Sequence, residues 1–302
     1  MRCVAVIPAR RAEATIADTL ASLRLGNTPF VERVVVVTSG DDPTSDLVRL
    51  WASRDCRVEL ALAAKPLSAG AARNLGRRLA GDAELLLFVD ADCRLESGGA
   101  ARLADEKVRR SAAAVSARVL GEGGIVARVR HLLEFKEAAS ARPAPPAWLP
   151  TTTTMLVSAS AFDRVGGFAD LWPGEDLVFA QALRDAGETV LRSDVVVTRH
   201  RHPRGVFEML RHQRRLGFTA ARARLLSPMP GSSFAARPWL APTLLPARLV
   251  RLLRWQAGEG LAPTLWTLAL APLLFAGLLV WTVAFLEGAL AGPTVPGRAS
   301  PS

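Results

Sequence analysis

Four short apolar runs alternate with stretches of helical periodicity over the first 95 residues, and few folds accommodate that pattern. Residues 3 to 7 (Cys-Val-Ala-Val-Ile) end at Pro8, residues 34 to 37 are consecutive valines, and residues 58 to 62 and 85 to 89 complete the set. A strand that is apolar on both sides must be covered on both faces, and β-branched valine favours extended backbone. Between the runs, Ile16, Leu20 and Leu23 fall at spacings of four and three on one helix face, and Gly26 stops that helix. Residues 47–53 and 69–79 read as two further helices. Strands and helices alternating in this way predict an α/β fold with a doubly wound, mostly parallel sheet.

The fourth run continues into charge: residues 85 to 92 read Leu-Leu-Leu-Phe-Val-Asp-Ala-Asp. Side chains two apart on a strand point the same way, so Asp90 and Asp92 are expected to converge at its carboxyl end, where open α/β sheets bind ligands. Carboxylates this close repel unless a cation lies between them, and a hard divalent ion such as Mg²⁺ or Mn²⁺ suits oxygen ligands. A surface turn holding two aspartates has the same sequence.

Further along, 115–119 and 151–157 read as strands and the proline-rich 141–150 as a loop. A helix ending at Gly166-Gly167 follows, then another from about Asp176 to Gly187 with Leu177, Ala180 and Leu183 facing inward, and a last strand at 195–198. Beyond residue 204 the character changes. Residues 204–226 form an Arg-rich amphipathic helix, 227–243 are broken by proline, and 246–256 repeat Arg248, Arg251 and Arg254 among leucines, which suits a helix in a membrane interface. The stretch 261–286 carries no charge, and at about 1.5 Å per residue it exceeds the roughly 30 Å apolar core of a bilayer. Trp266 and Trp281 lie near its ends as interfacial anchors do; a buried hairpin or re-entrant segment broken at Pro272 is the other reading. Arg237, Arg248, Arg251 and Arg254 precede the stretch and Arg298 alone follows it, so the positive-inside rule places the globular part in the cytoplasm. The expected division is a globular domain at 1–226, an interfacial linker at 227–260, a membrane span at 261–286 and a disordered tail at 287–302.

The chain has a net charge of +10 from 38 Lys+Arg, nearly all Arg, against 28 Asp+Glu. Such a balance favours anionic lipid, phosphorylated substrates or nucleic acid, and abundant Ala, Arg and Leu without Tyr also fits a compositional bias. No basic stretch is interleaved with aromatics and no nucleic-acid-binding module is present, which argues against a nucleic-acid partner. Cys3, Cys56 and Cys93 match neither a zinc spacing nor a disulfide framework, as expected for a reducing, cytosolic setting. The N-terminus runs directly into the first strand, so no cleaved signal peptide is expected.

Several segments, in order, resemble the inverting family 2 glycosyltransferases of A-type fold. VIPARRAEATIADTLASL (6–23) is similar to the family's opening strand and nucleotide loop, VVVVTSG (34–40) to its second strand, and SAGAARNLG (68–76) to its donor-side segment. LLLFVDADC (85–93) resembles the metal motif, GEDLVFAQALRDAG (174–187) the acidic motif that supplies the base, and RHRHP (199–203) with HQRRLG (212–217) the later His and Gln-Arg elements. The resemblance spans about residues 3–220. It implies a nucleotide-diphosphate sugar donor, a lipid-linked or glycan acceptor, a membrane partner and a divalent cation, Mg²⁺ or Mn²⁺. It further implies donor contacts from Pro8, Ala9, Arg10, Glu13, Thr38, Ser39, Arg73, Asn74 and Asp90, and metal ligation by Asp92 with Asp90 and His200. Asp176 becomes the catalytic base, with Glu175 its runner-up, while Gln213, Arg214 and Arg215 close over the diphosphate or meet the acceptor.

By the residues alone other roles stay open. Acidic residues in a first helical turn also serve as caps, Arg73 suits an exposed helix face, His202 suits the surface, and the 213–215 stretch suits solvent or anionic lipid. Gly70 and Gly76 form no dinucleotide fingerprint. Two departures from the family stand out. Arg10-Arg11-Ala12-Glu13 replaces the usual Tyr-Asn-Glu-Glu, and the base-reading aspartate of the second strand falls on Thr38 or Ser39. They leave the donor's base open and keep a non-catalytic nucleotide-binding membrane protein as an alternative. A nucleotidyltransferase ranks below it, since the first strand lacks a glycine-rich basic loop.

Overall fold

The computed structural model describes the chain except residues 25, 27, 143–149, 172, 203, 204 and 294–302. Most of the proline-rich 141–150 segment, Arg298 and most of the tail therefore lie outside the described residues. The chain divides into two compact units: 1–120, 141–143 and 149–201 form the first, and 121–140, 144–148 and 202–302 the second.

In the first unit, β1 (Cys3–Pro8), α1 (Ile16–Ser22), β2 (Val31–Ser39), α2 (Thr44–Ala52), β3 (Val58–Ala63), α3 (Ala69–Leu79) and β4 (Leu85–Val89) alternate as expected. β5 (Cys93–Leu95), α4 (Gly99–Arg109) and β6 (Ala114–Glu122) follow. After α5 (Ile125–Ala139), which belongs to the second unit, come β7 (Thr154–Ser158), α6 (Ala159–Arg164), α7 (Glu175–Asp185) and β8 (Val190–Arg201). The sheet has eight strands in the order β3-β2-β1-β4-β7-β6-β8-β5. β3, β2, β1 and β4 run parallel to one another, whereas β7 joins β4 and β6, and β5 joins β8, antiparallel.

The apolar runs are explained by what they face. Cys3, Ala5, Ile7, Val34, Val36, Leu85 and Leu87 enter one core; Val4, Val6, Val35, Val37, Leu86 and Phe88 enter another on the opposite face. Side chains alternate across a strand, so a strand covered on both faces needs apolar residues at every position. Each Val or Leu removed from water contributes about 1.5–3 kcal/mol.

The second unit contains α8 (Val206–Leu226), α9 (Ser232–Ala236), a 3₁₀ turn at Pro238–Thr243, α10 (Leu244–Glu259), α11 (Leu261–Ala269) and α12 (Ala271–Ala291). The uncharged stretch read as one span is divided between α11 and α12. The break falls at Leu270, and Pro272, which lacks an N–H, sits in the first turn of α12 where that loss is harmless. α12 is the one described helix long and apolar enough to cross a membrane, with mean hydropathy 2.0 in its best window, and half of that window is buried within the protein.

Candidate active site

At the end of β4 the chain turns sharply. The Cys93 N–H donates to the Asp90 carbonyl at 3.0 Å, and β5 departs to pair with β8, Cys93 opposite His200. Asp90 and Asp92 both lie just beyond the strand, in the turn rather than in the strand alternation, and are close enough for the charge of Asp92 to act on Asp90. They face different partners: Asp90 an arginine, Asp92 a histidine.

That arginine is Arg73. α3 lies close on β1, and a Cβ on Gly76 would stand 2.2 Å from Val6 Cγ1. Three residues earlier, Arg73 is 3% exposed; it donates from Nη2 to Asp90 Oδ1 and from Nη1 to Glu175 Oε1, both at 2.6 Å. Its guanidinium also lies 5.2 Å from the Phe168 ring centroid. Burial opposes its charge, but Asp90 and Glu175 outweigh that and raise its pKa. Arg73 is thus not an exposed helix arginine; it bridges the acidic turn after β4 to the first turn of α7. Asn74 is also committed, donating to the Phe168 carbonyl at 2.8 Å and accepting the Phe168 N–H at 2.9 Å.

The bridge separates the two acidic residues of α7. Glu175 is buried against Arg73, whereas half-buried Asp176 accepts the Leu177 N–H at 2.8 Å. Loss of solvent pushes the Asp176 carboxyl up to about 7, with neighbouring Glu175 adding to the effect and Arg73 opposing it. Burial likewise raises Asp90, Arg73 counters, and the charge of Asp92 raises it further. Carboxylates shifted toward neutrality beside a fixed cation are typical of sites that move protons.

Asp92 Oδ1 lies 3.4 Å from His200 Nε2, and the ligand atoms of Asp92, Cys93 and His200 are all within 4.8 Å of one another. Burial, then Asp92 and Asp90, push the Cys93 thiol far up, so it remains protonated and points toward Asp92 Oδ1 at 3.7 Å. A carboxylate and an imidazole at this separation fit a Mg²⁺- or Mn²⁺-type ion.

At the carboxyl ends of β1 and β2, the Ala9 N–H donates to the Val37 carbonyl at 2.9 Å, Pro8 is half-buried, and Arg10 and Glu13 are exposed. Thr38 is fully buried and its hydroxyl has no hydrogen-bond partner among the described residues, while Ser39 Oγ accepts the Leu67 N–H at 3.0 Å. Asp42, not singled out from sequence, pins this region. It accepts the Arg11 N–H at 2.8 Å and the Thr44 N–H at 3.0 Å, and Thr44 Oγ1 accepts the Ala12 N–H at 2.9 Å. Burial works against the Asp42 charge, yet these hydrogen bonds hold it below the usual carboxylate range. They also offset the strain of Arg11, whose φ of 52° is unfavourable for a side-chain-bearing residue. An Asp-Pro just before a helix was the available signal.

The later elements belong to the second unit. His202, expected at the surface, is buried, with Nε2 3.2 Å from His131 Nδ1. Gln213 is also buried and donates to Glu134 Oε1 at 2.7 Å, Arg130 reaches the same oxygen at 3.0 Å, and His212 lies 3.5 Å from Glu134 Oε2. Against the effect of burial, His212 and Arg130 hold Glu134 at about 2. Arg214 pairs with Glu287 of α12 at 3.0 Å, and partial loss of solvent lowers the pKa of Arg215, which is exposed.

A sheet parallel on one side and antiparallel on the other, with an acidic turn after its fourth strand and a carboxylate facing it, defines the A-type glycosyltransferase fold. The chain belongs to glycosyl transferase family 2, whose profile matches residues 4–169. Solved structures agree in fold. A mannosyltransferase of Pyrobaculum calidifontis, in complex with GDP-Man and Mn²⁺, is similar at TM-score 0.64 and 20% identity over 94% of this chain and 87% of its own. TarS of S. aureus (residues 1–349) with UDP-GlcNAc is similar at 0.55 and 14% identity, over 96% and 91%. GalNAc-T7 with UDP, GalNAc and Mn²⁺ is similar at 0.55 and 12%, over 76% and 52%. No curated protein sequence matches the chain.

Proposed function

We propose that the protein transfers a sugar from a nucleotide-diphosphate donor to a hydroxyl of a lipid-linked or otherwise membrane-proximal acceptor, with inversion and with Mg²⁺ or Mn²⁺. The observation that carries this reading is the partition made by Arg73. It neutralises Glu175 and Asp90 and leaves Asp176, tuned to about 7, as the carboxylate able to take a proton near neutral pH. A divalent cation would neutralise charge building on the departing diphosphate. Asp92 and His200 would hold it, with Asp90 facing it from the Arg73 bridge. Asp176 accepts the acceptor's proton as that oxygen attacks the anomeric carbon. The new carbon–oxygen bond forms opposite the breaking bond to the diphosphate, and a single displacement of this kind inverts the centre.

Donor recognition falls to the loop after β1, with Pro8, Ala9, Arg10 and Glu13, and to the end of β2. There Thr38 or Ser39 stands where the family's charged base reader falls, replacing a charge with a neutral hydroxyl donor and acceptor. The solved relatives hold GDP- and UDP-linked sugars, which supports a nucleotide-sugar donor without choosing its base. A membrane-proximal acceptor is supported by α12 and the arginines of α10, since an anchored enzyme meets bilayer substrates at high effective concentration.

Thermal-shift screening of nucleotide-diphosphate sugars with and without Mn²⁺ tests the reading. A donor at about 100 times its Kd stabilises the folded chain by about 2.7 kcal/mol. One donor should therefore stand out, and only with the ion present. Stabilisation without any turnover would favour a non-catalytic nucleotide-binding protein.

A further inference from the structure

Among its described residues, the second unit gathers several cations around Glu137. At the C-terminal end of α5, Glu137 receives its neighbour Lys136 at 3.1 Å and Arg251 of α10 at 3.0 Å. Among the described residues, Arg248, one turn earlier on α10, faces no carboxylate within salt-bridge distance and its buried Nε has no hydrogen-bond partner; its guanidinium lies 3.7 Å from the Trp281 ring centroid of α12. Arg224 of α8 donates to the carbonyls of Pro230 and Ala220, both at 2.9 Å, and among the described residues it pairs with no acid. Burial pushes Arg224 and Arg248 down to about 10, and Arg224 and Arg251 press Arg248 further in the same direction. Lys136 falls to about 8, mainly by burial, despite Glu137. Cations held together with one carboxylate are stabilised by an added anion, and the planar guanidinium fork matches phosphate oxygens.

The neighbouring helices say where that anion comes from. Val250 of α10, Leu261 and Leu265 of α11, and Phe275, Leu279 and Val283 of α12 are exposed, between 42% and 75%. A soluble phosphate would gain nothing from such surface, whereas the acyl chains of a lipid would cover it. We propose that Arg248 and Arg251, supported by Lys136 and Arg224, bind the phosphate headgroup of an anionic membrane lipid whose chains lie along α11 and α12. This site depends on the membrane part of the function proposed above and not on its chemistry, so it can fail while sugar transfer stands.

The test uses the full-length chain in a neutral detergent, titrated with phosphatidylglycerol, with phosphatidylcholine or with inorganic phosphate, and read by melting temperature and by retained lipid in native mass spectrometry. Phosphatidylglycerol is expected to raise the melting temperature and to be retained, and the other two to do neither. Arg248→Gln and Arg251→Gln should each weaken phosphatidylglycerol binding roughly fivefold, while Arg254→Gln, an exposed arginine further along the same helix, should leave it unchanged. Arg251 is itself largely exposed, so its variant keeps the test open should Arg248→Gln fail to fold. Equal stabilisation by phosphatidylcholine, an equal effect of inorganic phosphate, or an equal loss in Arg254→Gln would each overturn the assignment.

Discussion

Arg73, Glu175 and Asp90 form a buried charge set in which each member is tolerable only because the others are present. Deleting one partner of such a set leaves an uncompensated charge and costs about 3–5 kcal/mol. Arg73→Met is therefore expected to lower stability by that amount in denaturant unfolding, and Arg73→Lys, which cannot reach both carboxylates with a planar fork, by part of it. With Asp176 as the proposed base, held at about 7, the transfer rate is expected to rise as pH passes through that value, and Glu175→Gln, by removing the neighbouring charge, should move the midpoint of the pH–rate profile to lower pH. The stability effect has the opposite sense. A carboxyl whose folded pKa lies above its unfolded value of about 3.9 holds its proton more tightly when folded, so its contribution is full below about pH 4 and is lost as pH rises through about 7. The residue types of this site were visible in sequence because paired carboxylates and an Arg-Asn segment are chemically conspicuous. The pairing was not: Arg73 and Glu175 are 102 positions apart, and the tertiary fold alone decides that Arg73 holds carboxylates and Asn74 the Phe168 backbone.

Elements whose pattern is dictated by burial were legible, and those decided by a few local atoms were not. The runs at β1, β2 and β4 declare themselves because both sheet faces are covered. The turn that carries Asp90 and Asp92 out of β4 leaves no periodicity signal, and hydropathy averaged over 261–286 conceals the break at Leu270 that separates α11 from α12. His202 followed a similar logic: a histidine beside arginines reads as surface, yet it packs against His131 and Phe135. In the second unit α8 and α12 come into backbone contact, and a Cβ on Gly217 would stand 2.1 Å from the Trp281 carbonyl oxygen. Gly217→Leu is thus expected to force these helices apart and to destabilise the second unit by about 1–3 kcal/mol or more, seen as a lower melting temperature.

At the scale of the whole molecule, the chain combines a family 2 glycosyltransferase unit with a helical unit that carries basic charge and exposed apolar surface. If the second unit holds the protein in a bilayer, the full-length chain will resist alkaline carbonate extraction from membranes and dissolve only in detergent; release by carbonate would confine α12 to a packing role. Charge and hydropathy marked a change of character after residue 204, whereas the inclusion of 121–140 in the second unit and its internal packing, with Arg248 on Trp281, had no sequence signature. The central claim remains chemical: carboxylates brought together around Arg73 move a sugar. The most direct measurement is release of nucleoside diphosphate from the donor chosen by thermal shift, with acceptor lipid and Mn²⁺, in wild type, Asp92→Ala and Asp176→Asn. The account predicts turnover in wild type that chelation abolishes, little in Asp92→Ala, and a rate lower by about 10²–10⁴-fold in Asp176→Asn. A folded Asp176→Asn protein turning over at the wild-type rate would contradict it.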